Sequence, residues 1–303
     1  MHHLPDDSKQ LNFTCLIYLG VSYCIVMNYY FAYGSNLNLA DWTKWCVKNN
    51  YQPSVLVEHC RAFLPGYVTN YSHYSKRRQG GAANLRMLNN DLGGTYGCLF
   101  HVGEECIDIL DEKEGYPNHY DRKTVTVITE TGELVEALTY ISAKYDENEF
   151  HQPTDEYHEL IVDGLSSRGM LIDSICRAKD NQEIYDQGHI IVYGTLKRNN
   201  ARQDIMPGKF LDEGIIIGEL YDLGSYPGLS NGNREIHCEI YFSKDLANDL
   251  KYLDRIEGAD LSPPYYSRKI IPVKYGEGKI IWGHCYYFNQ DLNDYPIINS
   301  GIW

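Results

Sequence analysis

Two glutamates in this 303-residue sequence stand where a carboxylate could move protons. Glu114 ends the run Asp111-Glu112-Lys113-Glu114, and Glu257 ends Asp254-Arg255-Ile256-Glu257; Gly115 and Gly258 follow them. A glycine in that position stops a helix, so each glutamate falls on the last helical residue. A carboxylate at the negative end of a helix dipole is disfavoured in its charged form, which pushes its pKa up, towards proton transfer near neutrality. One such residue is most simply an exposed helix-end carboxylate, but recurrence in both halves points to chemistry. Upstream of each lies a turn of the type Tyr-Gly-hydroxyl: Tyr33-Gly34-Ser35-Asn36 and Tyr193-Gly194-Thr195-Leu196. Glycine lets the backbone approach a ligand closely, and converging N–H groups suit an anion or a developing oxyanion. Ser35 or Asn36 is also placed to cap the helix that follows.

The elements that must position these groups can be read from pattern. Strands over 29–33 and 190–193 run into the two turns. A helix is predicted over 39–47, with Trp42 and Trp45 on one face, and another over 104–114, with Ile107 and Leu110 three apart. Residues 55–67 read as a strand with a Pro65-Gly66 turn, and 82–87 and 95–101 as further strands. Between them, 71–81 reads as a loop: Lys76, Arg77 and Arg78 with Gly80-Gly81 suit a solvated turn, or recognition of a substrate carboxylate. Residues 125–130, Thr131-Gly132 and 134–142 make a hairpin, with a counterpart at 270–274 and 280–288. The stretch 153–170 looks helical around Tyr157, Leu160 and Ile161. Ser243 is the expected N-cap for a helix carrying Leu246, Leu250 and Leu253.

Beyond each Glu-Gly, a tyrosine lies two places before an arginine: Tyr120 and Arg122, then Tyr266 and Arg268. Tyr-Gly-hydroxyl, Glu-Gly and Tyr-x-Arg, twice in one order, argue for a duplicated domain. The expected division is 27–170 and 188–303, joined by 171–187. Residues 1–26 read as an upstream extension, or as the product of a mis-called start. Their apolar run, Leu11 to Val26, is too short for a comfortable membrane span, and Asp6 and Asp7 outweigh Lys9 in what would be a signal peptide's basic region. Each half is strand-rich with one or two helices, which predicts α+β architecture: two small barrels in tandem.

Composition narrows the partners. A formal net charge of −14 argues against nucleic acid or an anionic membrane. The nine cysteines have neither CxxC spacing nor a regular framework, so they read as free thiols in a reducing, cytoplasmic compartment, with a regulatory disulfide as the alternative. No Cys/His cluster has metal-ligand spacing, and no metal or cofactor is expected.

The motifs resemble those of a known family. Tyr33-Gly34-Ser35-Asn36, Glu114-Gly115, Gly80-Gly81-Ala82-Ala83-Asn84 and Pro153-x-x-x-Tyr157 resemble the γ-glutamylcyclotransferase family over most of 28–170. Tyr193-Gly194-Thr195-Leu196-Lys197, Tyr221-Asp222-Leu223-Gly224-x-Tyr226-Pro227-Gly228 and Glu257-Gly258 resemble its γ-glutamylamine cyclotransferase, AIG2-like branch over about 189–290. One departure stands out. The usual Gly-x-x-Asn after the second loop is here Arg198-Asn199-Asn200-Ala201-Arg202, and the glycine expected after Arg198 is missing.

The resemblance implies a small twisted β-barrel with flanking helices in each half. It also implies attack of a γ-glutamyl α-amino group on its own γ-carbonyl, releasing 5-oxoproline and an amine, with no cofactor. Glu114 and Glu257 would be the acid–bases. Tyr33, Gly34, Ser35, Asn36, Tyr120, Tyr140 and Tyr157 would bind substrate in one half, and Tyr193, Gly194, Thr195, Leu196 and Tyr266 in the other. Tyr120 and Tyr140 read equally well as ordinary barrel tyrosines. Two other readings stay open: a γ-glutamyl acyltransferase acting on a small metabolite, and a non-catalytic module that holds a small acid. Whether the halves share a substrate, pack together or dimerise is not legible in the sequence.

Overall fold

A computed structural model describes residues 13–18, 21–26, 28–142, 149–182 and 188–303, with side chains described from residue 28 onward. Part of the expected 1–26 extension lies outside the described residues; its two described strands, β1 (Phe13–Tyr18) and β2 (Val21–Val26), pair with each other.

The first half builds β3 (Asn28–Ala32), β4 (Val57–Pro65), β5 (Tyr67–Ser75), β6 (Gly80–Met87), β7 (Gly94–Val102), β8 (Tyr120–Thr129) and β9 (Leu134–Ser142). The second builds β10 (Gly188–Val192), β11 (Lys209–Asp222), β12 (Pro227–Ser243), β13 (Tyr266–Tyr275) and β14 (Lys279–Phe288). Strands β3-β7-β4-β8-β9 close into one barrel and β10-β12-β11-β13-β14 into another. The closing step is parallel in both, with Tyr30 opposite Leu138 and Ile190 opposite His284. Closure leaves neither barrel an open sheet edge. The connectivity is the same in both halves except that the hairpin β5–β6 is inserted between β4 and β7.

Strand β12 illustrates how both faces of the sheet are used. Ile236, Cys238 and Ile240 repeat at period two in the barrel core, and Tyr241 belongs to the layer beneath helix α5 (Leu246–Ile256). Leu246, Leu250 and Leu253 of that helix are each no more than 1% exposed. Their burial is worth about 1.5–3 kcal/mol apiece, which outweighs the few tenths that a surface charge pair gives a helix. In the first half α2 (Glu104–Glu114) buries Cys106, Ile109 and Leu110.

Both helices carry an anchor in their last turn. Asp111 accepts from Arg122 Nε at 2.7 Å and from the Tyr140 hydroxyl at 2.6 Å. Asp254 accepts from Arg268 Nη1 at 2.6 Å and from the Tyr286 hydroxyl at 2.7 Å. The arginines lie on β8 and β13 and the tyrosines on β9 and β14, so each carboxylate ties its helix to the final hairpin of its barrel. Burial alone would raise the Asp111 carboxyl; the bonds from Arg122 and Tyr140 win and hold it below the ordinary range. Its stabilising contribution is therefore present above the ordinary carboxylate pKa and is lost as pH falls through the depressed one.

The halves pack together. Trp282 of β14, 3% exposed, joins the core of the first barrel, where its ring stacks on Phe63 at 5.7 Å. Arg61 Nη1 donates to the carbonyls of Arg168 at 3.0 Å and Gly278 at 2.7 Å, and the Ile280 N–H bonds Gly169 O at 3.0 Å.

Several expectations need correction. Of the predicted loop 71–81, only 76–79 is a turn, and the flanks are strands β5 and β6. Gly80 and Gly81 serve close packing: a β-carbon on Gly81 would lie 1.9 Å from His151 O, where the chain before α3 (Asp155–Ser166) crosses the strand. Residues 171–187 are not merely a connection, since α4 (Asp173–Lys179) buries Ile175 and Ala178 there; 183–187 lie outside the described residues. The cap of α5 is Asp245, not Ser243, because Ser243 stays in the β12 ladder and its hydroxyl bonds Asp249 at 2.6 Å. The cap of α1 (Leu39–Lys48) is Asn38, whereas Ser35 to Leu37 form a short 3-10 turn. Cys46, Cys60, Cys98, Cys106, Cys176, Cys238 and Cys285 are free thiols.

Two stability measurements follow from this packing. Trp282→Ala should cost about 3–5 kcal/mol in urea unfolding, the range for emptying a large aromatic site. Trp282→Phe should cost less, because it keeps a ring and removes an indole N–H that has no partner among the described residues. Asp111→Ala leaves an arginine and a tyrosine hydroxyl without their acceptor and should cost about 1–3 kcal/mol; a loss below a few tenths would show that the anchor does not hold α2.

Candidate active site

Glu114 is the final residue of α2, and the chain turns away at Gly115, whose φ of 69° is left-handed. Glu257 caps α5, which ends one residue earlier than expected, ahead of Gly258 at φ 62°. Most side chains at such φ are strained by about 1–2 kcal/mol, so glycine favours the turn that leaves the glutamate at the helix end.

In the first half, Asn36 is the link between turn and carboxylate. Its Nδ2 donates to Glu114 Oε1 at 2.9 Å and to the Tyr30 hydroxyl at 2.8 Å. The Asn36 side chain is buried, and its Oδ1 has no partner among the described residues. Tyr33 donates its hydroxyl to the Tyr140 carbonyl at 2.6 Å, which ties the turn to β9. Gly34 faces the Tyr157 hydroxyl, which would lie 3.8 Å from a β-carbon placed there. That hydroxyl accepts from Ala83 N–H at 3.1 Å, and the Tyr120 hydroxyl donates to Ala83 O at 2.9 Å. Burial pushes the Tyr157 hydroxyl up to about 12 and raises Tyr33 and Tyr120 strongly, so all three stay neutral. Ser35 and Asn36 open a 3-10 turn, where helix geometry offers their N–H groups no intrahelical acceptor.

In the second half, Tyr193, Gly194, Thr195, Leu196, Glu257 and Tyr266 line one cavity of about 400 Å³. The framework repeats: the Tyr193 hydroxyl donates to Tyr286 O at 2.7 Å, and Tyr266 to Pro227 O at 2.9 Å. Leu196 stands where Asn36 stands in the first half, so the second turn has no side-chain amide to offer its glutamate. Burial raises Glu257 to about 6 against a smaller opposing pull from Arg202. Desolvation is therefore the cause of this shift, where the sequence pointed to the helix dipole.

The structure brings together the turn and the glutamate of each half, together with Tyr120, Tyr157 and Tyr266. Tyr140 is differently placed: its hydroxyl belongs to Asp111, which suits a barrel-anchoring tyrosine. Sequence reading missed the roles of Asp111 and Asp254, although both precede their glutamate by three residues in the repeated stretch. It also missed Lys113. That side chain is 1% exposed, lies 5.7 Å over the Trp45 ring and 3.9 Å from Asp41, and burial lowers it to about 8. Ile256 replaces it in the second half, so the two sites differ in charge behind the helix. Of the basic triplet, Arg78 is held by Asp41 at 2.8 Å and lies over the Tyr157 ring.

Among the described residues, no group of three or more His, Cys, Asp or Glu is arranged to hold a metal, and no helix is long and apolar enough to cross a membrane.

Comparison with known proteins shows the family of the chain. The chain is 31% identical over 118 residues to the gamma-glutamylcyclotransferase family protein YtfP of Escherichia coli K12, a match covering 38% of this chain and 94% of that protein. Among solved structures, a gamma-glutamyl cyclotransferase aligns over 50% of this chain and 86% of its own, at 23% identity and a TM-score of 0.43. YkqA from Bacillus subtilis aligns over 87% of this chain and 84% of its own, at 17% identity and a TM-score of 0.35. The family model described as gamma-glutamyl cyclotransferase, AIG2-like, matches twice, over residues 30–159 and 190–303, and together these spans take in most of the sequence. The chain belongs to the gamma-glutamyl cyclotransferase, AIG2-like family, with the family unit present in tandem.

Proposed function

We propose that this chain is a γ-glutamyl cyclotransferase with an acid–base glutamate in each half, Glu114 and Glu257. The observation that carries the reading is the second cavity. It places a carboxylate whose pKa lies at about 6 beside the Tyr193-Gly194-Thr195-Leu196 turn, in a space of about 400 Å³. A base efficient near neutrality needs a pKa in that region. The Asn36 bond to Glu114 supports the same role for the first half.

The reaction uses these groups in order. A γ-glutamyl amide curls so that its α-nitrogen meets its own γ-carbonyl, and holding that conformation supplies much of the rate. The glutamate takes a proton from the α-nitrogen, whose lone pair forms the new C–N bond. Negative charge on the carbonyl oxygen is met by N–H groups of the turn. The glutamate then returns the proton to the leaving nitrogen as the old C–N bond breaks, and the second proton, shed by the new ring nitrogen, passes by the same carboxylate to the departing amine, which leaves as an ammonium. The products are 5-oxoproline and a free amine or amino acid. Asn36 Oδ1, buried and unpartnered beside Glu114, is an acceptor suited to the substrate's ammonium. The substrate is a soluble small molecule, and each half acts on its own.

Release of 5-oxoproline from γ-glutamyl dipeptides and γ-glutamyl-ε-lysine tests this. Glu114→Gln and Glu257→Gln should each remove the turnover of one half by about 10²–10⁴-fold, and the double variant should be inactive. With Glu114→Gln, kcat/KM should rise with pH through about 6, since Glu257 must be ionised to take the proton. No release from any γ-glutamyl amide by the unaltered chain would refute the proposal.

A further inference from the structure

Asparagine stands where the glycine was expected after Arg198. Asn199 takes a left-handed φ of 64°, a backbone conformation that asparagine tolerates better than most residues. The chain then folds back onto the substrate turn. Asn200 Nδ2 donates to Gly194 O at 3.0 Å, and the Arg202 N–H donates to Thr195 O at 2.9 Å. The position where the family pattern carries asparagine is thereby pinned against the turn, and here it is an arginine whose side chain lines the cavity.

Three charged residues line that cavity: Arg202, Arg255 and Glu257. Neither guanidinium has a hydrogen-bond or ion-pair partner among the described residues, whereas neighbouring Arg198 is held by Glu239 and Glu213. In a chain of net charge −14, a cavity with two unpaired cations and one carboxylate is a local reversal of sign. It attracts anions. The rest of the mouth is apolar and partly open, with Tyr226, Leu261 and Tyr265 at 40%, 50% and 56% exposure. The Tyr265 N–H bonds Gly258 O at 3.0 Å, so this wall stands directly beside the acid–base glutamate.

We infer that the second half is specific for γ-glutamyl dipeptides whose leaving residue is an aromatic or large apolar amino acid with a free carboxylate, and that Arg202 recognises that carboxylate. This rests on the cyclotransferase reading above. With the γ-carbonyl between the turn and Glu257, the leaving nitrogen points to the mouth. A side chain on it meets Tyr226, Leu261 and Tyr265, and a carboxylate on it meets a guanidinium. The N–H groups of the turn face the γ-carbonyl oxygen, which leaves Arg255 to hold the glutamyl carboxylate. A γ-glutamyl amine without the second carboxylate would leave Arg202 unpaired.

The test compares γ-glutamyl-phenylalanine with γ-glutamyl-phenethylamine, which differ only in that carboxylate. 5-Oxoproline release is measured on the full chain carrying Glu114→Gln, so that only the second half turns over. Binding is measured by calorimetry on the chain carrying Glu114→Gln and Glu257→Gln. The dipeptide should be preferred about tenfold in both, the low end for a hydrogen bond to a charged group because Arg202 is exposed. Arg202→Gln should raise KM for the dipeptide and bring the two compounds within about twofold. Arg202→Lys should keep part of the preference. A binding preference that depends on Arg202, without any release, would sink the cyclotransferase reading while upholding recognition of the carboxylate. Equal affinities, no binding of either compound, or a preference that Arg202→Gln retains would overturn the inference.

Discussion

Asp111 and Asp254 hold the two candidate sites in place. A helix that ends on a carboxylate cannot be steadied by its dipole, which repels the group, and Gly115 or Gly258 gives the end no side-chain support. The stabilising contact therefore lies one turn back, where an aspartate accepts from an arginine on one strand and a tyrosine hydroxyl on the next. The same tyrosines, Tyr140 and Tyr286, accept at their carbonyls from Tyr33 and Tyr193 in the Tyr-Gly-hydroxyl turns. Helix end, final hairpin and turn thus form one connected unit. The glutamate keeps its distance from the turn because both are tied to the same strand.

On that common frame the halves have diverged in the groups nearest the carboxylate. The first meets Glu114 with the Asn36 amide and buries the Lys113 ammonium behind the helix, beside Asp41 and Trp45. The second has Leu196 and Ile256 in those places and brings Arg202 to the mouth instead. One glutamate thus has polar support close by, and the other has desolvation with a cation lining its cavity. Trp282 joins the halves through packing while leaving both turns on their own barrels.

Much of the fold was legible in the sequence because its signals are local. The stop at Gly115 and the stripe of α5 depend on glycine's freedom and on a 3.6-residue period, and both lie where pattern put them. The hairpin β5–β6 was misread because Gly80 and Gly81 look like loop residues. They let 151–154 pass close by, a contact about 70 residues distant in sequence. Ser243 and Ser35 were misassigned as caps for a related reason: a hydroxyl can cap a helix, but a strand ladder or a 3-10 turn claimed those backbones first. Asn199 shows the reverse, since the residue in place of the expected glycine itself adopts a left-handed φ, which asparagine tolerates better than most.

By itself the sequence determined the duplication, the α+β class, and which glutamates and turns recur, since residue type and spacing carry that information along the chain. Only the tertiary structure decided that Asn36 reaches Glu114, that burial sets Glu257 at about 6, that Trp282 enters the other barrel's core, and that Arg202 faces the cavity. Each of these depends on which side chains meet across barrel closure, and on how much water is left between them. Neither is written in the local pattern.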